Sequence, residues 1–320
     1  MNVYIEFILL SAVVVYCAVQ LSKQAEVIEE NSKINVLLIG AILALATSLP
    51  ELATGITSAF IGQADMSVSN VLGSNIFNLL ILAVMNIAFY RRVINHHIQD
   101  QTNKFSVVVI AMYIVFIVGL FASKTGALNV FNFDLTSVFI VLIYFIGIKV
   151  INSKDIETHV EQNKNADAKI LKIAVLKFLL FAFFVLFASI FLSLKAEQIM
   201  TLSGLSASFV GAIFIGISTS LPELVTTITL VKHRHYNLAA AGILGSNLFN
   251  FTILAIVDFV SNGSVYSFSS GVLTLAILGF IFSILMYIAI KYSKNNKYMN
   301  LLVPIIIIIG YLWFLLSGGS

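Results

Sequence analysis

Charge is what this chain has least of. Of its 320 residues only 10% are Asp, Glu, Lys or Arg, against about 25% in soluble domains. Hydrophobic residues make up 59%, and the mean hydropathy is +1.01. A soluble globular domain is excluded, and the chain belongs in a membrane. The single cysteine, Cys17, excludes an internal disulfide and a cysteine metal cluster; a buried membrane thiol is expected there. There is no Walker A loop and no soluble domain, so ATP hydrolysis is not an energy source. Prolines number three, at 50, 222 and 304, and two of them share a motif.

A helix needs roughly 20 apolar residues to cross the hydrocarbon core. On that scale the sequence predicts an all-α membrane protein with ten spans, near 3–20, 34–61, 67–90, 106–123, 133–150, 170–194, 205–231, 238–260, 268–290 and 298–317. The first has no basic leader and contains Glu6, so it reads as a retained helix rather than a signal peptide. Sixteen of the eighteen Lys and Arg fall in one alternate set of loops; only Lys124 and Lys195 fall in the other. The positive-inside rule puts the first set in the cytoplasm and both termini outside. The compactness of the chain points to a cell membrane. Residues 152–169 are polar and free of aromatics, a cytoplasmic linker by composition. They divide a first five-helix unit, 1–151, from a second, 170–320.

The halves repeat each other. "TSLPEL" at 47–52 recurs at 219–224, and "GSN" at 73–75 recurs at 245–247. Phe77 and Asn78 recur as Phe249 and Asn250, always 172 residues on (223 − 51, 246 − 74, 250 − 78). A gapless offset over two helices and their hairpin is a duplication. Five is odd, so the copies run through the bilayer in opposite directions and meet near its midplane, the architecture of secondary transporters.

Each copy carries Pro-Glu in mid-membrane. Proline lacks an N–H and displaces the carbonyl four residues back, here that of Ala46 or Ser218. A freed carbonyl in hydrocarbon must be taken up by protein, water or an ion; a packing kink is the plainer reading of one such proline. Glu51 and Glu223 are costly in mid-membrane and are functional candidates for that reason. Ala44, Thr47, Ser48 and Glu51 share one helix face, as do Gly216, Thr219, Ser220 and Glu223. Backbone carbonyls, hydroxyls and a carboxylate on each stripe suit hard cations such as Na⁺ and Ca²⁺. No histidine or cysteine lies in the motifs, which disfavours soft metals. Gly73 and Gly245 permit close helix approach. Ser74 with Asn78, and Ser246 with Asn250, share faces as further oxygen ligands, or as interhelical hydrogen-bonding groups. Asn75 and Asn247 point elsewhere and read as structural. Two glutamates give the site a charge of −2, matched by one Ca²⁺ or two Na⁺. Competition for one site is a sufficient basis for exchange, because two bare carboxylates are unstable in low dielectric.

With these residues in view, the chain resembles the sodium/calcium exchangers of the Ca²⁺/cation antiporter superfamily. The two "TSLPE…GSN" blocks are similar to that family's α-1 and α-2 repeats. The resemblance implies a Na⁺-driven Ca²⁺ antiporter working by alternating access. Its ion ligands would be Glu51, Glu223, Thr47, Ser48, Ser74, Thr219, Ser220 and Ser246, with backbone oxygens at Ala44 and Gly216. Spans 3–20 and 170–194 would form a sliding pair. There are departures. The family's Gly before Thr-Ser is Ala46 and Ser218 here, and its "GN" is Ser69-Asn70 and Ala241-Gly242. An acid common in the second repeat of relatives is Asn250, which disfavours K⁺ co-transport. The "GNxxE" signature of the proton-coupled branch is absent, and the 152–169 loop has no room for regulatory domains.

The alternatives are a proton-coupled divalent-cation antiporter, a cation channel needing a continuous pore, and an intramembrane enzyme. No His, Asp or Lys accompanies the motifs, which argues against the enzyme. The basic residues follow topology rather than forming a patch, so no nucleic acid is expected. Nor is any resident cofactor or obligate protein partner, only the transported ions and the bilayer. His96, His97, His233 and His235 read as parts of solvated loops or as pH sensors. Asp65, Asp134 and Asp258 lie near outer helix ends, where solvated or gate-lining positions are expected.

Overall fold

The computed structural model describes residues 2–31, 36–88, 100–123, 128–130, 133–151, 168–232, 236–261, 265–266, 268–292 and 299–317. Among them are ten long helices: α1 (Val3–Asn31), α2 (Val36–Phe60), α3 (Ala64–Ala88), α4 (Asp100–Ser123), α5 (Leu135–Ile151), α6 (Ala168–Ser203), α7 (Ala207–Lys232), α8 (Tyr236–Val260), α9 (Ser270–Tyr292) and α10 (Met299–Leu316). Residues 152–167 of the expected linker, and all four loop histidines named above, lie outside the described residues.

The duplication is visible in the helix boundaries. Adding 172 to the bounds of α3, 64 and 88, gives 236 and 260, the bounds of α8. Adding it to those of α2, 36 and 60, gives 208 and 232, one residue inside the start of α7. Local chemistry sets the junctions. Gly62, at φ 80°, ends α2: its N–H meets the Ala59 carbonyl, and the Gln63 N–H meets that of Ser58. This is a Schellman stop, which favours glycine. Gly204, at φ 70°, ends α6, and the Ser206 hydroxyl caps α7 by accepting from the Phe209 N–H at 3.2 Å.

The largest core cluster is built from α3, α4, α8, α9 and α10, around Tyr113, Phe116, Phe251 and Tyr266. α1 and α6 lie against each other, Phe7 and Val14 packing among Ala188, Leu192 and Ile199, with Cys17 against Val185 further along. Phe183, Phe187 and Leu176 on α6 are exposed, as a lipid-facing surface requires. Two hydroxyls tie this pair to the duplicated helices. Ser11 on α1 donates to Ser218 on α7 at 3.1 Å, and Ser193 on α6 donates to the Thr54 carbonyl on α2 at 3.3 Å.

The aspartates at the outer helix ends correct an expectation. Asp134 and Asp258 are both 0% exposed, not solvated. Asp134 closes a short antiparallel hairpin, β1 (Asn129–Val130) with β2 (Phe133–Asp134), paired Asn129 to Asp134. Its carboxylate then caps α5, accepting from the Thr136 N–H at 2.8 Å. Asp258 accepts from the Asp134 N–H at 2.9 Å, the Ser137 hydroxyl at 2.8 Å and the Val265 N–H at 3.1 Å. One side chain of the second repeat thus fastens a corner of the first. Backbone donors that the loop could not satisfy itself pull the carboxylate inside.

Candidate cation site

α2 and α7 remain helical through Pro50 and Pro222, while α7 contains a π-helical segment, Val210–Ile215, that α2 lacks at 38–43. The carbonyls of Pro50 and Glu51 are taken up locally, by the Thr54 hydroxyl at 2.8 and 3.1 Å. Asn70 on α3 reinforces this, donating to the Glu51 carbonyl at 3.3 Å and to the Thr54 hydroxyl at 2.9 Å. Its Oδ1 accepts from Thr219 at 3.5 Å. Thr54 was not among the residues singled out from sequence, and Asn70 was noted only as the second residue of the "GN" step. The signal for Thr54 was its counterpart Thr226 at the same offset; Asn70 has Gly242 as its counterpart, so the repeat alone did not mark it.

The glutamates come together through hydroxyls. Glu51 is 1% exposed and Glu223 is 6% exposed. Glu51 Oε1 accepts from Ser220 of the other repeat at 3.1 Å, and Glu223 Oε1 accepts from Ser246 at 3.3 Å. Ser74 donates to the Gly216 carbonyl at 3.2 Å, as does Thr219 at 3.4 Å. Thr47 is half-buried and Ser48 buried on the same helix as Glu51; Ala44 lies two turns before Glu51 on α2. Asn78 and Asn250 are fully buried and donate across the repeats to Asn247 Oδ1 and Asn75 Oδ1, each at 2.9 Å.

Buried oxygens without a hydrogen-bond partner occur at several places in the described residues, and five of them lie on the repeated motifs. Glu51 Oε2, Glu223 Oε2, Ser48 Oγ, Asn78 Oδ1 and Asn250 Oδ1 are all buried without a hydrogen-bond partner. A buried carboxylate oxygen with no donor costs several kcal/mol, and native interiors rarely leave such atoms alone. All five are oxygens from the two repeated motifs. The set fits a hard cation bound through oxygen. Among the described residues no group of three or more His, Cys, Asp or Glu side chains gathers, here or elsewhere; the acidic side chains of this set are the two glutamates.

The surroundings of the two half-sites differ. Thr54, Asn70 and Gly73 are buried, whereas their counterparts Thr226 and Gly242 are exposed and Gly245 is half-buried. A Cβ on Gly73 would strike the Ala212 backbone, and one on Gly211 the Met66 carbonyl. The α3–α7 seam is therefore closed backbone to backbone. Gly245 has its nearest described neighbour, Phe105 Cε1, at 3.7 Å from such a Cβ.

Ten helices in two inverted five-helix repeats, each bringing a glutamate to a common interior, define a membrane carrier of the inverted-repeat class. The chain belongs to the sodium/calcium exchanger protein family, whose profile matches residues 3–151 and 173–317. A curated relative, the putative antiporter CaxA of Alkalimonas amylolytica, is 28% identical over 251 residues, 77% of each chain. Among solved structures, an H⁺/Ca²⁺ exchanger, CAX, superposes with a TM-score of 0.73 at 15% identity, covering 99% of this chain and 88% of its own. The sodium-calcium exchanger NCX_Mj superposes with a TM-score of 0.62 at 20% identity, covering 98% and 99%. At these identities the two structures speak to the fold.

Proposed function

We propose that this protein is a secondary antiporter that exchanges Na⁺ for Ca²⁺ by alternating access, independently of K⁺. The observation that carries the reading is the set of five unpartnered, buried motif oxygens, two of them carboxylate. Glu51 and Glu223 supply the charge. Ser48, Asn78 and Asn250 supply neutral oxygens. Thr47, Ser74, Thr219, Ser220 and Ser246 hold or complete the cage, with carbonyls at Ala44 and Gly216. One Ca²⁺ or two Na⁺ neutralise the carboxylates, so the ions compete and the emptied site resists crossing. The sodium-calcium exchanger and the H⁺/Ca²⁺ exchanger with this fold carry such ions by their names. Asparagine at both 78 and 250 leaves no third acid for K⁺.

The chain divides into units 1–151 and 170–320 joined by a cytoplasmic linker, with both termini outside the cell, as the lysine distribution requires. The enclosed half-site then faces outward. The exposed Thr226 and Gly242 open the other flank toward the cytoplasm. An alternating-access carrier never opens both flanks at once, and the unequal seams fit one flank closed while the other is free to open.

The test is ⁴⁵Ca²⁺ uptake into Na⁺-loaded proteoliposomes diluted into Na⁺-free buffer, with choline or K⁺ as the replacement cation. Uptake driven by Na⁺, equal in choline and K⁺, and abolished by Glu51→Gln and by Glu223→Gln is expected. Uptake driven only by a pH gradient would replace Na⁺ with protons. No gradient-driven uptake by folded protein would sink the exchange reading.

A further inference from the structure

Asn75 and Asn247 lie off the ligand stripes, yet both are 0% exposed at the seam between the repeats. The Asn247 Nδ2 donates to the Asn75 backbone carbonyl at 3.1 Å, and the Asn75 Nδ2 donates to that of Asn247 at 3.4 Å. The two residues are 172 apart, so the exchange is reciprocal about the pseudo-twofold axis. Each then offers its Oδ1 to the site asparagine of the other repeat, Asn247 to Asn78 and Asn75 to Asn250.

A carbonyl oxygen accepts and never donates, while a side-chain amide has one accepting and one donating end. The backbone carbonyls of Asn75 and Asn247 therefore dictate which way both of those amides face. Their Oδ1 atoms must point at Asn78 and Asn250, which must answer with Nδ2. The only end left for Asn78 and Asn250 is Oδ1, and those two atoms are the buried oxygens without partners. Turning any one of the four amides would set two acceptors against each other.

We propose that Asn75 and Asn247 are positioning residues that fix the carbonyl oxygens of Asn250 and Asn78 toward the transported cation, each acting across the repeat boundary. The proposal rests on the cation-site reading above. It makes the pairing crossed: Asn247 works through Asn78, and Asn75 through Asn250. A released amide is free to turn its N–H₂ toward the cation, which repels it. The crossing also forbids an acid at 78 or 250 without rearrangement, since a carboxylate has no donor for the waiting Oδ1. The site charge is thereby held at that of its two glutamates.

The experiment is a double-variant cycle on the full chain in nanodiscs, with Ca²⁺ and Na⁺ titrated calorimetrically and ⁴⁵Ca²⁺ uptake followed in parallel. Asn247→Ala should raise the Ca²⁺ Kd about tenfold, the scale of one lost hydrogen bond of about 1.4 kcal/mol. KM should rise with it while the maximal rate changes by less than about threefold. Asn78→Ala with Asn247→Ala should bind no worse than Asn78→Ala alone, whereas Asn250→Ala with Asn247→Ala should lose the product of the two factors. Where an alanine variant does not fold, Asn247→Ser, too short to reach the Asn75 carbonyl, replaces it. Losses that multiply in both pairs, or in neither, overturn the proposal, because a packing role does not distinguish partners. Cation binding with the crossed pattern but no Na⁺-driven uptake would remove the exchange reading alone. Binding of neither ion would remove both.

Discussion

Replacing Gly73 with alanine should cost far more than replacing Gly245, although the two are copies of one position. The added Cβ at Gly73 would lie 2.6 Å from the Ala212 carbonyl oxygen and 2.8 Å from its Cβ, and still nearer its Cα. Those obstacles are mostly backbone and do not rotate away. Restoring ordinary contact at 3.4 Å to that oxygen alone needs about 0.8 Å (3.4 − 2.6), and the nearer Cα needs more. A gap of that size along a helix seam forfeits roughly a quarter to a half of each dispersion contact it crosses, and overpacking of this kind costs about 1–3 kcal/mol. At Gly245 the nearest described atom, Phe105 Cε1, is at 3.7 Å, an ordinary contact. There the gain from alanine in a helix interior, about 1 kcal/mol, is uncompensated. Gly73 also lies in a helix interior and shares that gain, so the two variants should differ by the overpacking cost alone, about 1–3 kcal/mol, Gly73→Ala melting lower. Thermal unfolding of both proteins in one detergent, followed by tryptophan fluorescence or by aggregation-sensitive chromatography, measures it. Equal melting temperatures would refute the claim that one seam is closed and the other open.

Asp258→Ala strands the Asp134 and Val265 N–H groups, while the Ser137 hydroxyl keeps Tyr266; at about 1–3 kcal/mol for each buried unsatisfied group, it should destabilise by more than any single ligand change, and a melting scan of Asp258→Ala beside Glu51→Gln checks the order. Lys195→Met removes the 2.6 Å ion pair with Glu6, but its side chains are 23% and 22% exposed. Stability should fall by less than about 1 kcal/mol, and a larger drop in the same scan would show the pair to be structural.

The spans were legible because hydrocarbon thickness imposes them. Segment 34–61 became Val36–Phe60, and 238–260 became Tyr236–Val260. Helix ends were less so. α1 continues to Asn31 and α6 to Ser203, past expected ends near 20 and 194, because Lys23, Lys195 and Glu197 mark where the apolar run stops, not where hydrogen bonding does. The repeat disclosed Glu51, Glu223 and their neighbours, since a duplicated mid-membrane acid is rare. It disclosed Asn75 and Asn247 equally, but a face drawn on one helix could not show that each points to the other. Asp134 and Asp258 misled for a related reason. Position near a span end says solvent, whereas their burial depends on N–H groups from a distant loop and hairpin.

The π-helical segment of α7 has a geometric consequence. Each π-type hydrogen bond spans one residue more than an α-type bond, and one residue is about 100° of rotation at 3.6 residues per turn. α2 has no such segment at the matching residues 38–43. The repeats therefore agree in residue count but not in phase. From Gly216 to Glu223 both helices wind residue for residue as α-helix, while over Val210–Ile215 the wider turn of α7 has no counterpart in the backbone of α2. Symmetry in this protein holds from the middle of the membrane along one arm of α7 and is lost along the other.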